Sequence, residues 1–532
     1  MSQEPAYVLV VDLGSGGPKV VLVADSGEIV AQGSARIATH YLPDGGAEQD
    51  PAEWWSAFDG LVRQMLALRP VPLDRVVAIA CTGQWSVTVP VAADGQALSR
   101  AVHWTDRRGA PYTRDLTHGL IKVQGYGLNR LLGWMWYTGG VPTHSGADAL
   151  AHMLWIKHER PDIYRQTFKF LEPADYLNLR LTGRFAASRA SVYPYLLTNN
   201  RHNSTIDYAP RLLRWSGIPR DKLPDLVPVD AVLGTLLPEI AAEWGLGPDV
   251  QVVASTGDSQ AAVLGAGTLA DFEPHICIGT SSWLTCFVPF RKTDLTRYLA
   301  TMPSALPGRN MVMAELGPAG KCLELFLDNW LFANDELSCA PRPPDAFERL
   351  ERIATAAPPG SDGLLFLPWL NGGGPPTGDS SLRGGFLNQS LVSGRGQAAR
   401  AIFEGVAYNL RWLRDAVQTF CGRKFEALNF IGGGARSPLW CQTLADVLGA
   451  PIRQVTEPQA AIARGAALAA LVALKRLPVA EIPRRVPIAS TFLPDAANRP
   501  TYDGMYENFL AAYRANRRLF RQMNHTPVDG HS

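Results

Sequence analysis

Two stretches of this chain are apolar on both sides of a short turn rich in glycine and hydroxyls. Residues 8–13 run Val-Leu-Val-Val-Asp-Leu into Gly14-Ser15-Gly16-Gly17, and Pro18-Lys19-Val20-Val21-Leu22-Val23 lead out again. Near-continuous apolar runs around such a turn predict a β-hairpin. The pattern returns at 275–288, where Ile276-Cys277-Ile278 and Trp283-Leu284-Thr285-Cys286-Phe287-Val288 flank Gly279-Thr280-Ser281. After the first hairpin, Asp50-Pro51-Ala52-Glu53 has the order of a helix start: cap, proline, acid. Trp55, Phe58, Val62 and Met65 then recur at helical spacing. Val76–Ala80 is a short buried-strand run that ends in Thr82-Gly83-Gln84, where polar groups emerge at a strand end.

The second half repeats this grammar. A helix is predicted near 398–415, with Ile402, Val406, Leu410 and Leu413 on one face. A strand at 428–431 follows, then Gly432-Gly433-Gly434, then a helix from Pro438 to Leu448. Alternating strands and helices make the fold class α/β, and the shared order hints at duplication. At 532 residues the chain exceeds a single growing core. A boundary is expected between Gly265 and His275, giving units 1–268 and 269–500. A tail at 501–532 carries an amphipathic helix through Tyr506, Leu510, Tyr513 and Phe520, with loose residues after Asn524. The Gly/Pro-rich stretches 341–344, 358–363 and 371–378 are expected to be surface loops.

Composition narrows the partners. The formal net charge is +1, which leaves no field to draw in nucleic acid or an anionic membrane. The apolar stretch from Gly465 to Leu474 falls short of the about 20 residues that a bilayer crossing needs. The seven cysteines form no C-x-x-C or closely spaced framework, so reduced thiols and a cytoplasmic location are expected. The ten histidines show no H-E-x-x-H spacing, which argues against a dedicated transition-metal site.

Each candidate motif has two readings. Asp12, Gly14, Ser15 and Lys19 suit a phosphate-and-magnesium turn, and equally an ordinary hairpin. Gly279, Thr280 and Ser281 carry the same ambiguity, yet a clamp across a cleft needs one turn from each side. Asp258 is either a base that receives a hydroxyl proton or the N-cap of the apolar stretch behind it. Gly432, Gly433 and Gly434 resemble half of a dinucleotide fingerprint but lack its last glycine; a flat surface for adenine or ribose, or a tight turn, fits as well. Gln84, Trp85, Trp104 and Asp106 combine aromatic plates with polar forks, as a sugar site does, although a lone Trp is usually core.

Read together, these residues resemble the FGGY carbohydrate kinases of the actin-like (ribonuclease H-like) ATPase superfamily, over about residues 7–515, and most of all their xylulokinase branch. The matches are Asp12-x-Gly14-Ser15, Glu48-Gln49-Asp50-Pro51-x-x-Trp54, Trp104-x-Asp106-x-Arg108, Trp155-Ile156-Lys157 and Pro173-x-Asp175-Tyr176-Leu177. They continue through Leu181-Thr182-Gly183, Gly257-Asp258, Ile278-Gly279-Thr280-Ser281 and Arg400-Ala401-x-x-Glu404-Gly405-Val406-Ala407. Gly432-Gly433-Gly434-Ala435-x-Ser437 and Gly465-Ala466-Ala467 complete them. The resemblance implies two actin-like domains with a cleft between them, in which ATP phosphorylates a sugar or polyol hydroxyl, a pentulose such as xylulose first.

By the same resemblance Asp258 is the catalytic base, and Asp12 with Asp258 serves Mg2+. Gly14, Ser15, Lys19, Gly279, Thr280 and Ser281 meet phosphates; Gly432–Gly434 and Gly320 line the nucleotide. Gln84, Trp85, Trp104, Asp106 and Ser259 meet the sugar. A homodimer is compatible with it. Three departures stand out. Ser15 replaces a threonine and keeps the hydroxyl. Gly83-Gln84-Trp85-Ser86 stands where xylulokinases carry Gly-Gln-Met-His, which reshapes a sugar pocket. The Gly-, Trp- and Tyr-rich segment 112–140 is longer than its counterpart. The competing readings are an NAD-linked oxidoreductase built on residues 428–457 and a non-catalytic sensor.

Overall fold

A computed structural model describes residues 4–202, 206–337 and 339–524. Among these residues the long strands form two large sheets. In the first, the hairpin Tyr7–Gly14 and Gly17–Ala24 is extended antiparallel by Ile29–Ser34. Its first strand lies parallel to Val76–Gly83, which lies parallel to Gln251–Val253. The second sheet repeats the scheme with Pro274–Ile278 and Ser281–Val288 as the hairpin and Asn310–Pro318 antiparallel to it. Leu428–Ile431 and Ile452–Val455 are its parallel strands. The common order of helices and strands noted above is thus a common pairing order.

Local signals explain most elements. Asp50 caps the helix Pro51–Ala67 by accepting from Ala52 N at 2.8 Å, with Pro51 in its first turn. Its buried face is Trp54, Phe58, Val62 and Met65; Trp55 stacks on Trp244 at the margin. The helix Pro438–Leu448 starts under Ser437, whose hydroxyl accepts from Trp440 N at 3.0 Å. The predicted helix near 398–415 extends over Arg395–Cys421.

Segment 112–140 contributes the end of one helix and all of another, Leu128–Tyr137, with Trp134 buried and Trp136 exposed. Loop 358–363 is anchored rather than free: Glu404 accepts from Gly360 N at 2.9 Å and from Ser361 Oγ at 2.8 Å. The same buried carboxylate takes Arg400 Nε at 2.8 Å and the Tyr502 hydroxyl at 3.0 Å. This docks the terminal helix Arg499–Met523, whose Phe509 packs on Trp369. The residues after Asn524 lie outside those described.

Between the two sheets sit two small-residue helices, Asp258–Gly265 and Ala461–Ala473, in one core with Val8, Val10, Cys277, Trp283 and Ile431. Alanine and glycine along both helices let their backbones meet. No helix among the described residues is long and apolar enough to cross a membrane.

Candidate functional site

The hairpin turn Ser15–Gly16 is braced from outside the sheet. Trp104 Nε1 donates to Ser15 Oγ at 2.8 Å, and Gln49 Nε2 donates to Ser15 O at 2.8 Å. Gln49 is held in turn by Gln84 Nε2 at 2.8 Å and Trp54 Nε1 at 3.1 Å. Trp104 and Gln84 therefore shape the turn, and Gln84 keeps a buried Oε1 without a partner. The N–H groups of Ser15 and Gly16 have no acceptor among the described residues.

Asp12 stands three residues before that turn, facing Lys19 across the ladder. Burial raises its carboxyl and the Lys19 charge opposes the rise. One strand over, Thr82 pairs with Asp12; beyond it Thr256–Gly257 pairs with Thr82–Gly83. Asp258 leaves this third strand at the same level, half-buried. Gly257, and not Asp258, is the N-cap; Asp258 is the first residue of its helix. Gln260 makes the cap bond instead, accepting from Gly257 N at 2.9 Å, while its amide donates to Ala190 O at 3.1 Å and Pro303 O at 3.0 Å.

The Asp258 carboxyl is pushed up to about 7 by burial, then by the charges of Asp12 and Glu315; the Ser259 N–H, 2.6 Å from Oδ1, holds it down. Glu315 comes from the second sheet, paired to the Ser281 hydroxyl. Cys277, at the foot of the second turn, feels the charges of Asp258, Lys19 and Asp12. The ends of the two hairpins thus lie close enough for the charges of Asp12 and Glu315 to act on Asp258. Glu315 was not anticipated; only the pairing of its strand with the one that starts at Ser281 reveals it.

The second turn, Gly279–Thr280, borders a cavity of about 380 Å³ together with Gly320, Gly433 and Gly434. Gly320 N donates to Gly279 O at 3.0 Å, and a Cβ on Gly320 would overlap that oxygen. Thr280 N–H has no acceptor among the described residues. Leu323, Phe347, Phe403 and Trp440 supply apolar walls, and Glu351 and Ser437 a polar one. Gly14, Ser15, Lys19 and Ser281 stand outside this cavity. Gly432 does turn-making work: its φ is +86° and a Cβ would collide with Ile278 O.

Trp85 lies half-exposed over Gly257, the residue before Asp258, and leans on Tyr193 with ring centroids 5.8 Å apart. Its indole N–H donates to Ser191 O. Two other sugar-site candidates are fully buried. Asp106 is fully buried, accepting from Ala47 N at 2.8 Å and pairing with Arg108, which also reaches Glu48. Ser259 is fully buried and its hydroxyl finds no partner.

Two sheets of like order, each opened by a hairpin, and a cavity behind the second turn make up a two-domain actin-like fold. The solved gluconate kinase from Lactobacillus acidophilus shares that fold, with a TM-score of 0.82 at 21% identity over 98% of this chain and 100% of that one. The models of the N-terminal and C-terminal domains of the FGGY family of carbohydrate kinases match residues 7–265 and 277–474. The xylulose kinase of Escherichia coli (strain K12) is 31% identical over 96% of this chain and 98% of its own length. That of Bacillus subtilis (strain 168) is 26% identical over 95% and 96%. The chain belongs to the FGGY family of carbohydrate kinases, and its reaction is ATP-dependent phosphorylation of a sugar. The NAD-linked alternative finds no support among these relatives.

Proposed function

We propose that this enzyme transfers the γ-phosphoryl group of ATP to a hydroxyl of a pentulose such as xylulose, with Asp258 as the base and Mg2+ held by Asp12 and Asp258. The observation that carries the reading is the Asp258 carboxyl, pushed up to about 7 by burial and by the charges of Asp12 and Glu315. A carboxylate near neutrality accepts a hydroxyl proton far more readily than one at the ordinary ~3.9. The Ser259 N–H fixes Oδ1, which leaves Oδ2 for the sugar hydroxyl. The bare N–H groups of Ser15, Gly16 and Thr280 suit phosphate oxygens. Lys19, Gly14, Gly279 and Ser281 belong to the same two bends.

A divalent cation fits the donor set. Asp12 and Asp258 come from two strands on either side of Val76–Gly83, and the charge of the first raises the second; Mg2+ is commonly bound through one or two carboxylates with waters and phosphates. When bound, it supplies charge neutralisation to the β- and γ-phosphate oxygens. In this reading residues 1–268 hold the acceptor, 269–500 the nucleotide and 501–532 the tail, and the enzyme works in the cytoplasm. The choice of a pentulose is supported by the xylulose kinases of E. coli and B. subtilis, each aligned along nearly the whole chain.

ADP release over a panel of ketoses, polyols and aldonates tests the assignment. Pentuloses, xylulose among them, are expected to give the highest kcat/KM. Turnover led by an aldonate or a polyol, with pentuloses inert, overturns the acceptor class.

A further inference from the structure

We propose that Glu351 reads the exocyclic amino group of adenine and makes the enzyme selective for ATP over 6-oxopurine nucleotides. The inference rests on the cavity behind Gly279 and Gly433 being the nucleoside site.

Glu351 lies on the helix Ala346–Ala356 and lines that cavity. Its Oε1 accepts from Ser437 Oγ at 2.7 Å and from Leu439 N at 2.9 Å. The Ser437 hydroxyl oxygen already accepts from Trp440 N, so its own hydrogen goes to Glu351. Two donors therefore pin one carboxylate oxygen to the start of the helix Pro438–Leu448. The other, Oε2, has no hydrogen-bond partner among the described residues. An ionised carboxylate can only accept. Of the three carboxylates that line the cavity, Glu324 is tied to Lys321 at 2.9 Å and Glu348 is exposed, so Glu351 is the one whose open acceptor two donors hold in place.

The cavity has two ends. Gly279, Thr280 and Gly320 form the one nearer Glu315, because Ser281, next in the chain, bonds it. That end suits phosphates. The remainder is walled by Phe347, Phe403 and Trp440, with bare backbone at Gly433, where a Cβ would meet nothing within 4 Å. Between these apolar walls, a purine that offers a donor toward Glu351 fits the slot. Adenine offers its amino group at C6; guanine and hypoxanthine offer a carbonyl oxygen at the same position. Against Glu351 that oxygen would set acceptor against acceptor, away from water, and sites built around such a polar contact discriminate strongly.

Glu351→Gln tests this with a built-in orientation. Leu439 N–H and Ser437 O–H both require an acceptor where Oε1 sits, so the glutamine carbonyl takes that place and its NH2 turns into the cavity. The wild type is expected to prefer ATP over ITP in kcat/KM. In the variant that ratio falls at least tenfold, through a higher KM for ATP and a lower KM for ITP, while the ratio of 2′-deoxy-ATP to ATP stays as in the wild type. An unchanged ATP-to-ITP ratio overturns the proposal. So does a shift in the deoxy-ATP ratio, which would assign Glu351 to the ribose. Gly433→Phe, with its fold checked by thermal melting, fills the slot. Wild-type ATP affinity in that variant by calorimetry would overturn the cavity itself as the nucleoside site, separately from the role of Glu351.

Discussion

Gly265 and Gly465 meet backbone to backbone where their two helices cross between the sheets. A Cβ on Gly265 would overlap Ala461 O, and one on Gly465 would overlap Ala261 O. Neither neighbour is a flexible side chain, so the helices themselves must part. Gly265→Ala and Gly465→Ala are each expected to destabilise by about 3 kcal/mol or more, at the upper end of overpacking effects. The double variant should cost less than the sum, because one parting of the helices relieves both overlaps. Denaturant titration with a fitted midpoint checks both statements.

Asp258→Asn is expected to lower kcat by about 10²–10⁴ while ATP still binds. An amide keeps the shape but cannot take the proton. Isothermal titration alongside steady-state kinetics separates the two; near-normal turnover would remove Asp258 from the chemistry.

The same carboxyl dictates a pH dependence. With its folded value raised to about 7, Asp258 is protonated below that pH and unable to act as base. In the free enzyme kcat/KM should therefore fall as pH drops through 7. Stability runs the other way. The folded state holds the proton more tightly than the unfolded chain, so this group's contribution is complete below the unfolded carboxylate range and is lost as pH rises through 7. Asp258→Asn should consequently raise Tm most at pH 8 and hardly at all near pH 4. Melting curves across that range read the sign directly.

Trp85 is held against Gly257 and Tyr193 beside the proposed base, so its bulk bounds the acceptor. Trp85→His should alter kcat/KM by about 10-fold or more for at least one sugar while KM for ATP stays within about twofold. A uniform change across the panel would mean that Trp85 only packs.

Glu404 is nearly fully buried and takes donors from Arg400, Gly360, Ser361 and Tyr502. Glu404→Gln should cost about 3–5 kcal/mol, since it leaves the Arg400 charge without its partner. Urea unfolding measures it.

The elements legible in the sequence were those specified within a few residues. Both hairpins followed from apolar runs around glycine turns, and strand 428–431 and helix 438–448 from an apolar run, a glycine cluster and a proline start. What escaped depends on partners far along the chain. Glu315 acts on Asp258 because its strand pairs with the one that carries Ser281. Asp106 looks like a free fork until Ala47 and Arg108 close on it. Ser259 follows Asp258 in sequence but is fully buried, which nothing beside it announces. Loop 358–363 has a surface composition, yet Glu404, some forty residues on, draws it inward. Asp258 read equally as a cap or a base because Gln260, which makes the cap bond, gives no sign of it locally.

Gln260 carries a further consequence. Its one amide ties the turn that bears Asp258 to Ala190 in the first half of the chain and to Pro303 in the second. Were the two halves to part, at least one of those ties would break and the mooring of the proposed base would loosen. An open enzyme would thus be a poor hydrolase of its own ATP, because water enters just when the residue that could activate it has lost its footing.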